Sequence, residues 1–391
     1  MPEVEERQSR KVLALLFNVR ILRIVGQLVA IGVLLGVAVY LSDNYQANTR
    51  QSTRTGWSFL DEPTGFNIAY SDFRAGQPVR DALWVGIRNT AASAVVGMVL
   101  AVTIGVVVGV LRLSRSWVAR KAATIYVELL RNVPVLLIIL FTAAWLRTLP
   151  RIESARSIGS VAVVSNRELA MMSPVAGDNF GVYALVLAVA AAAALGLATW
   201  RTRVSDRTGE PHHRVLWGGG VFLLVAVASY LVLDSPLTWS HPKTGDASIA
   251  GGASLDIGYV ALTGALAIYH GSHIAEIVRG SIQSVPYGQT EAATAIGLSD
   301  FQRLRFVTLP QAFRVAVPPT INQCLSLTKN TSLGIAVAYS DVSSLGFRLI
   351  GSSRAPALQM IVILMVIYLV FSLTTSLLLN MVNRRLQLVE R

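Results

Sequence analysis

The stretch Gln283 to Phe313, QSVPYGQTEAATAIGLSDFQRLRFVTLPQAF, organises the reading of the whole chain. It predicts two short helices joined by a tight turn. The first begins after Pro286 and stops at Gly297, a residue that readily takes the left-handed conformation closing a helix. Ser299 then caps the second, with Gln302 three positions on to complete a capping box, and Leu309 with Pro310 is expected to end it. Ala292, Ala293 and Ala295 leave one surface without bulk, so another backbone can come close, while Phe301, Leu304 and Val307 form an apolar stripe.

Apolar runs flank this knob on both sides. The 391 residues are 53% apolar and only 14% charged, with mean hydropathy +0.54, too greasy for an ordinary soluble domain. A span of the bilayer core needs roughly 20 apolar residues in a helix. Eight segments qualify: about Ile24 to Leu41, Val85 to Leu111, Ala123 to Leu146, Gly181 to Trp200, Val215 to Leu233, Ile257 to Arg279, Val315 to Tyr339 and Ala357 to Val382. The expected fold is therefore an all-α integral membrane protein. The first run exceeds the usual length of a signal-peptide core and no A-x-A site follows it. A single cysteine, Cys324, excludes an internal disulfide and any multi-cysteine metal site.

The net charge of +12 finds its place in the loops. Basic residues are retained on the cytoplasmic side of a membrane, and one orientation puts twenty of the 34 Lys and Arg inside against eleven outside. Both termini, the cluster Arg112, Arg115, Arg120 and Lys121, and the knob then face the cytoplasm. Residues 1–82 form a cytoplasmic tail, first span and outer segment; 83–146 hold spans two and three; 147–256 an outer segment with spans four and five; 257–391 spans six to eight with the knob at about 283–313. Of the outer stretches, the one before span two carries Trp57, Phe59, Phe66 and Tyr70, residues suited to a membrane interface. Its aromatics read equally as headgroup contacts of a mobile connector or as a docking surface. The other outer stretch, 147–179, offers no readable chemistry. Gly32/Gly36 and Gly105/Gly109 have the spacing at which two helices approach closely.

A DNA-binding helix-turn-helix would share the knob's Ala-rich helix, Gly turn and Ser cap. Spans at both ends leave little room for a duplex, and only Arg303 and Arg305 in the second helix could offset phosphate charge, so nucleic acid is not expected. The pattern Glu291-Ala292-Ala293, then Gly297, Val307, Leu309 and Pro310, resembles the EAA loop of permeases in ATP-binding-cassette importers, with valine at 307 where that family usually has isoleucine. The resemblance implies that these residues dock on a cytoplasmic ATPase. Tyr126 to Pro134 (YVELLRNVP), Ala275 to Gly280 (AEIVRG) and Lys329 to Leu333 (KNTSL) are similar to polar amino acid uptake permeases. That family has a five-helix type I core, which maps onto spans two, three, six, seven and eight. Spans one, four and five are extra, as in the larger permeases of general L-amino acid or glutamate/glutamine/aspartate/asparagine importers. Those work as heterodimers, so the resemblance implies a second related permease, two ATPase subunits that bind the ATP and magnesium, a periplasmic amino acid-binding protein and an inner-membrane location. Asn330 stands where the family commonly has aspartate, which removes a carboxylate that could pair with a cationic substrate.

Span seven is polar for a lipid-facing helix, with Asn322, Gln323, Thr328, Lys329, Asn330, Thr331 and Ser332 beside Pro318 and Pro319. A lysine near the bilayer centre costs about 2.5–3.5 kcal/mol, which places this helix against protein or water along a translocation path. Hydroxyls and amides can supply both the donors and the acceptors a zwitterion needs, so Asn330, Thr331 and Ser332 are candidate substrate contacts, with Lys329 and Asn322 on the same path. Interhelical hydrogen bonds would use the same groups. Glu128 with Arg131 and Glu276 with Arg279 are three apart and suited to pair on a helical face, either structurally or as part of an inner gate or of the interface with the ATPase. His270 and His273 share a face of span six but have no further ligands for a metal, and none is expected.

No Lys follows the glycine that a phosphate-binding loop requires, so the chain itself is not expected to hydrolyse ATP or to be an enzyme. The alternative transport reading is an ion-gradient-driven carrier of small polar solutes, which predicts interrupted spans in both halves. Only span seven reads as interrupted. An integral membrane enzyme would need clustered His or carboxylates at one depth, and the sequence offers only the weak pairs above.

Overall fold

A computed structural model describes residues 19–49, 56–208, 213–234, 236–245 and 249–386. Arg7, Arg10, Lys11, Arg50, Arg54 and both termini lie outside the described residues. The helices are α1 (Val19–Thr49), α2 (Val79–Leu111), α3 (Trp117–Arg131), α4 (Val135–Arg147), α5 (Phe180–Thr208), α6 (Arg214–Val232), α7 (Ile257–Gln283), α8 (Tyr287–Ala295), α9 (Asp300–Arg303), α10 (Leu309–Asn330), α11 (Val342–Gly351) and α12 (Ala357–Leu386). All eight expected spans fall largely on helix, with breaks in spans three and seven. Among the described residues, by length and composition, four helices can cross a membrane, namely Ile24–Asn44, Val79–Leu111, Phe180–Ser205 and Ala357–Met381, or up to six if each of two bent pairs counts as one span.

One bent pair corrects the reading of span three as a continuous helix. α3 and α4 meet at 108°. Pro134 is the cause: it has no N–H to continue the ladder and it pushes Val133 out of helical geometry. Asn132 closes α3 by donating its Nδ2 to the Glu128 carbonyl at 2.7 Å. The other pair is span seven, where α10 runs through a 3₁₀ segment (Thr331–Val337) and then turns by 46° into α11.

Helix α7 forms the centre. Ala261, Leu262, Ala265, Leu266, Ile274 and Ala275 are all buried, and α2, α3, α4 and α10 pack around it. Its closest neighbour is α2, and glycines set that approach. A Cβ on Gly105 would lie 2.5 Å from Ile274 Cγ2, one on Gly109 would lie 2.8 Å from the Ala275 carbonyl oxygen, and one on Gly271 would lie 2.9 Å from Ile104 Cγ2. The Gly105/Gly109 spacing therefore serves a contact within the chain. A Cβ on Gly32 or Gly36 would meet no atom from beyond its own turn of helix within 4 Å among the described residues.

The all-α expectation also needs correction. Residues 156–176 and 237–256 form short strands: β1 (Arg156–Ile158), β2 (Ala162–Val164), β3 (Glu168–Met171), β4 (Ser173–Ala176), β5 (Leu237–Ser240), β6 (Lys243–Thr244), β7 (Ile249–Ala250) and β8 (Ala253–Asp256). β1, β2, β3 and β8 pair in that order, all antiparallel, with Glu168 opposite Asp256 and Met171 opposite Ala253. Val163 and Ala170, a cross-strand pair, are buried beneath this cap. The sheet brackets the helical hairpin α5–α6, whose members pack on each other through Tyr183 and Tyr230 and through Arg201 stacked over Trp217. The earlier outer segment is folded too. Phe59, Ile68 and Phe73 are buried against Val79, Ala82, Val342 and Leu345, while Trp57 and Tyr70 remain exposed.

Candidate functional site

The knob forms as its local sequence dictates. At the end of α8 the Leu298 N–H donates to the Ala293 carbonyl (3.1 Å) and the Gly297 N–H to that of Thr294 (2.9 Å), around a φ of +80° at Gly297. This is the paired bonding of a Schellman stop, which a residue with a Cβ would strain. Ser299 and Gln302 complete the capping box: Ser299 N–H donates to Gln302 Oε1 at 2.9 Å, and Gln302 N–H to Ser299 Oγ at 3.4 Å. Arg303 ties the two helices, bonding Asp300 at 3.0 Å and Thr294 Oγ1 at 3.3 Å.

The expected end at Leu309-Pro310 does not occur. A π-turn over Leu304–Thr308, closed by Leu309 N–H to the Leu304 carbonyl, carries α9 into α10, and Pro310 sits in the first turn of α10, where the missing N–H costs little. Tyr287, Ile296, Phe301 and Phe306 stand exposed on this hairpin, Ile296 at 76%. Glu291, Ala292, Gly297 and Pro310 are exposed and Leu309 is half-buried. Ala293 departs from its expected place on the open face: it is buried at 3% and packs inward.

Beneath the knob the structure gathers an ionic cluster that the sequence showed only in part. Glu276 on α7 is held by Arg279, with Arg279 Nε at 3.1 Å, and also by Arg112 at the end of α2 and Arg131 at the end of α3. The expected pairing of Glu128 with Arg131 is therefore replaced: Arg131 turns to Glu276 at 3.5 Å, and Glu128 is exposed with no ion pair among the described residues. Three cations from three helices converge on one carboxylate, which joins α2, α3 and α7 where they approach the knob. Arg112 was missed because nothing in its local spacing points to α7.

The polar residues of span seven divide in the same way. His270, 1% exposed on α7, bridges two of them: its Nδ1 lies 3.1 Å from Gln323 Oε1 and its Nε2 lies 3.2 Å from Asn330 Nδ2. With Nδ1–H donating to the glutamine oxygen, Nε2 keeps a lone pair for the asparagine N–H, so the bridge describes a neutral imidazole in one tautomer. Asn330 is thereby oriented with its Oδ1 turned away from His270. Thr331 is fully buried and donates to the Thr328 carbonyl at 2.8 Å, so it supports the helix break and is not open to a solute here. Ser332 is half-buried, and its hydroxyl donates to the Lys329 carbonyl at 2.9 Å. Asn322 and Lys329 are exposed. Lys329 shares an apolar trough of about 560 Å³ with Val362, Met365, Val366, Leu369 and Ser372 of α12. Past the break, buried Asp341 caps α11 through the N–H groups of Ser343 (3.2 Å) and Ser344 (2.9 Å) and accepts from Tyr368 Oη at 3.2 Å.

Residues 215–388 match the family described as "Binding-protein-dependent transport system inner membrane component". Over 93% of its length the chain is 36% identical to the "General L-amino acid transport system permease protein AapQ" of Rhizobium johnstonii, covering 92% of that protein. It is 36% identical to the "Putative amino-acid ABC transporter permease protein YhdX" of Escherichia coli, covering 93% of this chain and 94% of that one. Against the "Glutamate/glutamine/aspartate/asparagine transport system permease protein BztB" of Rhodobacter capsulatus identity is 33%, covering 96% of both.

Proposed function

The chain belongs to the permease subunits of amino acid ATP-binding-cassette transporters, and from that membership we propose that it carries polar L-amino acids inward across a bacterial inner membrane, driven by a separate ATPase. The cargo is glutamate, glutamine, aspartate, asparagine or a broader L-amino acid set, in keeping with what the names of its relatives describe.

One observation carries the reading: a rigidly capped hairpin, 287–308, displays Tyr287, Ile296, Phe301 and Phe306 to solvent around the exposed Glu291 and Ala292. Apolar groups gathered on a stiff projection mark a protein contact. The reading makes this the surface on which the ATPase closes, with Glu291, Ala292, Ala293, Gly297, Leu309 and Pro310 forming or shaping it. ATP and magnesium are held by two copies of the ATPase. All eight helical segments span the bilayer with both termini inside, a binding protein delivers the solute outside, and Asn330, Ser332, Lys329 and Asn322 line the path. The Glu276 cluster lies at its inner mouth.

The exposed Lys329 supports a second, related permease. Left against lipid, its ammonium would cost about 2.5–3.5 kcal/mol. A partner subunit or a water-filled seam along α12 removes that cost. Two broken spans, at Pro134 and at Thr331–Val337, correct the expectation of one and also suit an ion-gradient carrier. The knob therefore discriminates between the two readings.

The test is ATP-dependent uptake of labelled amino acids into proteoliposomes holding the co-purified complex and its binding protein, wild type against Glu291→Ala. Loss of uptake together with loss of the co-purifying ATPase supports coupling through the knob. Uptake that ignores ATP and follows an ion gradient overturns the reading.

A further inference from the structure

A cavity of about 340 Å³ opens between the folded outer segment and the start of α2. The segment is held over the helix by Ile68 and Phe73, buried against Ala82 and Leu345. Asp81, Trp84 and Arg88 recur at helical spacing and form one wall, and Tyr70 and Asp72 form the other. Arg88 lies nine residues into α2, about 14 Å along the axis at 1.5 Å per residue. Arg88 is three residues past the expected start of span two at Val85, where a guanidinium has to reach water, headgroups or protein, and here it faces this cavity. Among the described residues neither Arg88 nor Asp72 enters an ion pair; Asp81 has only Arg80 at 3.8 Å, exposed and shared with Asp61. Among the described residues an unpaired cation, one unpaired carboxylate and one weakly paired carboxylate thus line a half-open pocket beside two aromatic rings.

The floor joins the broken span. Asn89, also in the lining, donates its Nδ2 to the Ser340 carbonyl at 2.8 Å, and its own carbonyl accepts from Tyr339 Oη at 3.0 Å. Tyr339 and Ser340 lie just past the 3₁₀ segment Thr331–Val337 and its capping residue Ala338.

We propose that this cavity is an outer receiving site for a zwitterionic amino acid. The Arg88 guanidinium takes the α-carboxylate, a pairing whose planar fork matches two oxygens, and Asp72 with Asp81 takes the α-ammonium. Trp84 and Tyr70 cover the side chain without demanding one identity, which suits a mixed set of cargoes. The volume falls in the range of small-ligand sites. The ligand class rests on the transport reading above.

Thiol protection tests it. In the intact complex in nanodiscs, a cysteine placed by Val85→Cys in the lining is labelled with a charged methanethiosulfonate, while the buried Cys324 contributes little background. Millimolar free glutamine is expected to slow labelling at least fivefold. Glutamine with its α-carboxyl amidated should give no protection, and Arg88→Gln should abolish it, each variant being read as the ratio of its own liganded to unliganded labelling rates. Arg88→Lys, which keeps the charge, should retain part of the protection. Equal protection in Arg88→Gln or by the amide overturns the proposal. So does protection by ligand-free binding protein alone, which would make the cavity a docking pocket. Unprotected labelling in a preparation that still imports with ATP overturns the site and leaves the transport reading standing; protection without ATP-dependent uptake supports the site and removes the transport reading.

Discussion

Arg131 and Glu276 sit on different helices, yet their side chains meet 3.5 Å apart, and Arg112 and Arg279 close on the same carboxylate. One anion thus offsets three cations. Glu276→Ala should leave them facing one another, lowering the thermal midpoint of the purified complex by the equivalent of about 1–3 kcal/mol. Uptake should fall about tenfold, since each 1.4 kcal/mol of lost coupling is a factor of ten. Glu276→Asp, which keeps the charge on a shorter stem, should recover part of both. A midpoint within error of wild type in Glu276→Ala would show that the cluster carries no structural weight.

His270 holds Gln323 and Asn330 at once. His270→Phe fills a similar volume but leaves both amides without their buried partner, a loss of about 1–3 kcal/mol. Asn330 would then no longer be oriented. The expected result is a several-fold rise in the KM for uptake with a smaller change in the maximal rate. His270→Gln, which offers a donor and an acceptor, should lie between. Equal falls in maximal rate with KM untouched would assign His270 to general stability.

Gly105 has no room for a side chain, because any Cβ would overlap Ile274. Gly105→Val forces α2 away from α7 at about 1–3 kcal/mol. We expect the complex to elute as aggregate in size-exclusion chromatography. Gly32→Val, in a glycine with nothing nearby, should run as wild type.

Ile296 is among the most exposed apolar side chains of the knob. Ile296→Asp should leave the melting temperature unchanged, because surface substitutions away from structural features stay within about 0.5 kcal/mol. The amount of ATPase recovered with the permease should drop at least tenfold in a pull-down. Undiminished recovery would place the contact elsewhere.

Asp256 caps α7 by accepting from Gly258 N–H at 3.1 Å, and burial holds its carboxyl above the usual range, with that hydrogen bond and Arg147 pulling the other way. The folded state therefore binds this proton more tightly than the unfolded chain, and the group's contribution to stability falls as pH rises from the unfolded value through the folded one. Asp256→Asn keeps a good cap without the buried charge. It should raise the melting temperature at pH 7, with the gain shrinking towards pH 4. A gain independent of pH would point away from the ionisation.

Local signals carried the knob into the sequence: Gly297, Ser299 and Gln302 act on backbone groups within a few residues, so their spacing already encodes the turn. The apolar runs likewise placed the long helices, while α11 (Val342–Gly351), between two of those runs, was not marked by them. What escaped depends on distant partners. Pro134 lay inside an apolar run long enough to pass as one span, so the 108° bend was hidden. Spacing suggests only neighbours three or four apart, which made Glu128 the natural mate for Arg131 and left Arg112 unnoticed. The burial of Ala293 and Thr331 is set by tertiary packing. Strands of two to four residues are too short to show alternation, so the outer sheet left no legible trace.

That sheet pairs Met171 with Ala253, which brings the entrance and the exit of residues 172–252 to adjacent positions on neighbouring strands. The α5–α6 hairpin is thus spliced in like a page clipped into a binder, its two ends sharing one fastening. A lineage could gain or shed it by editing a single short junction, and the frame around α7 would keep its connectivity either way.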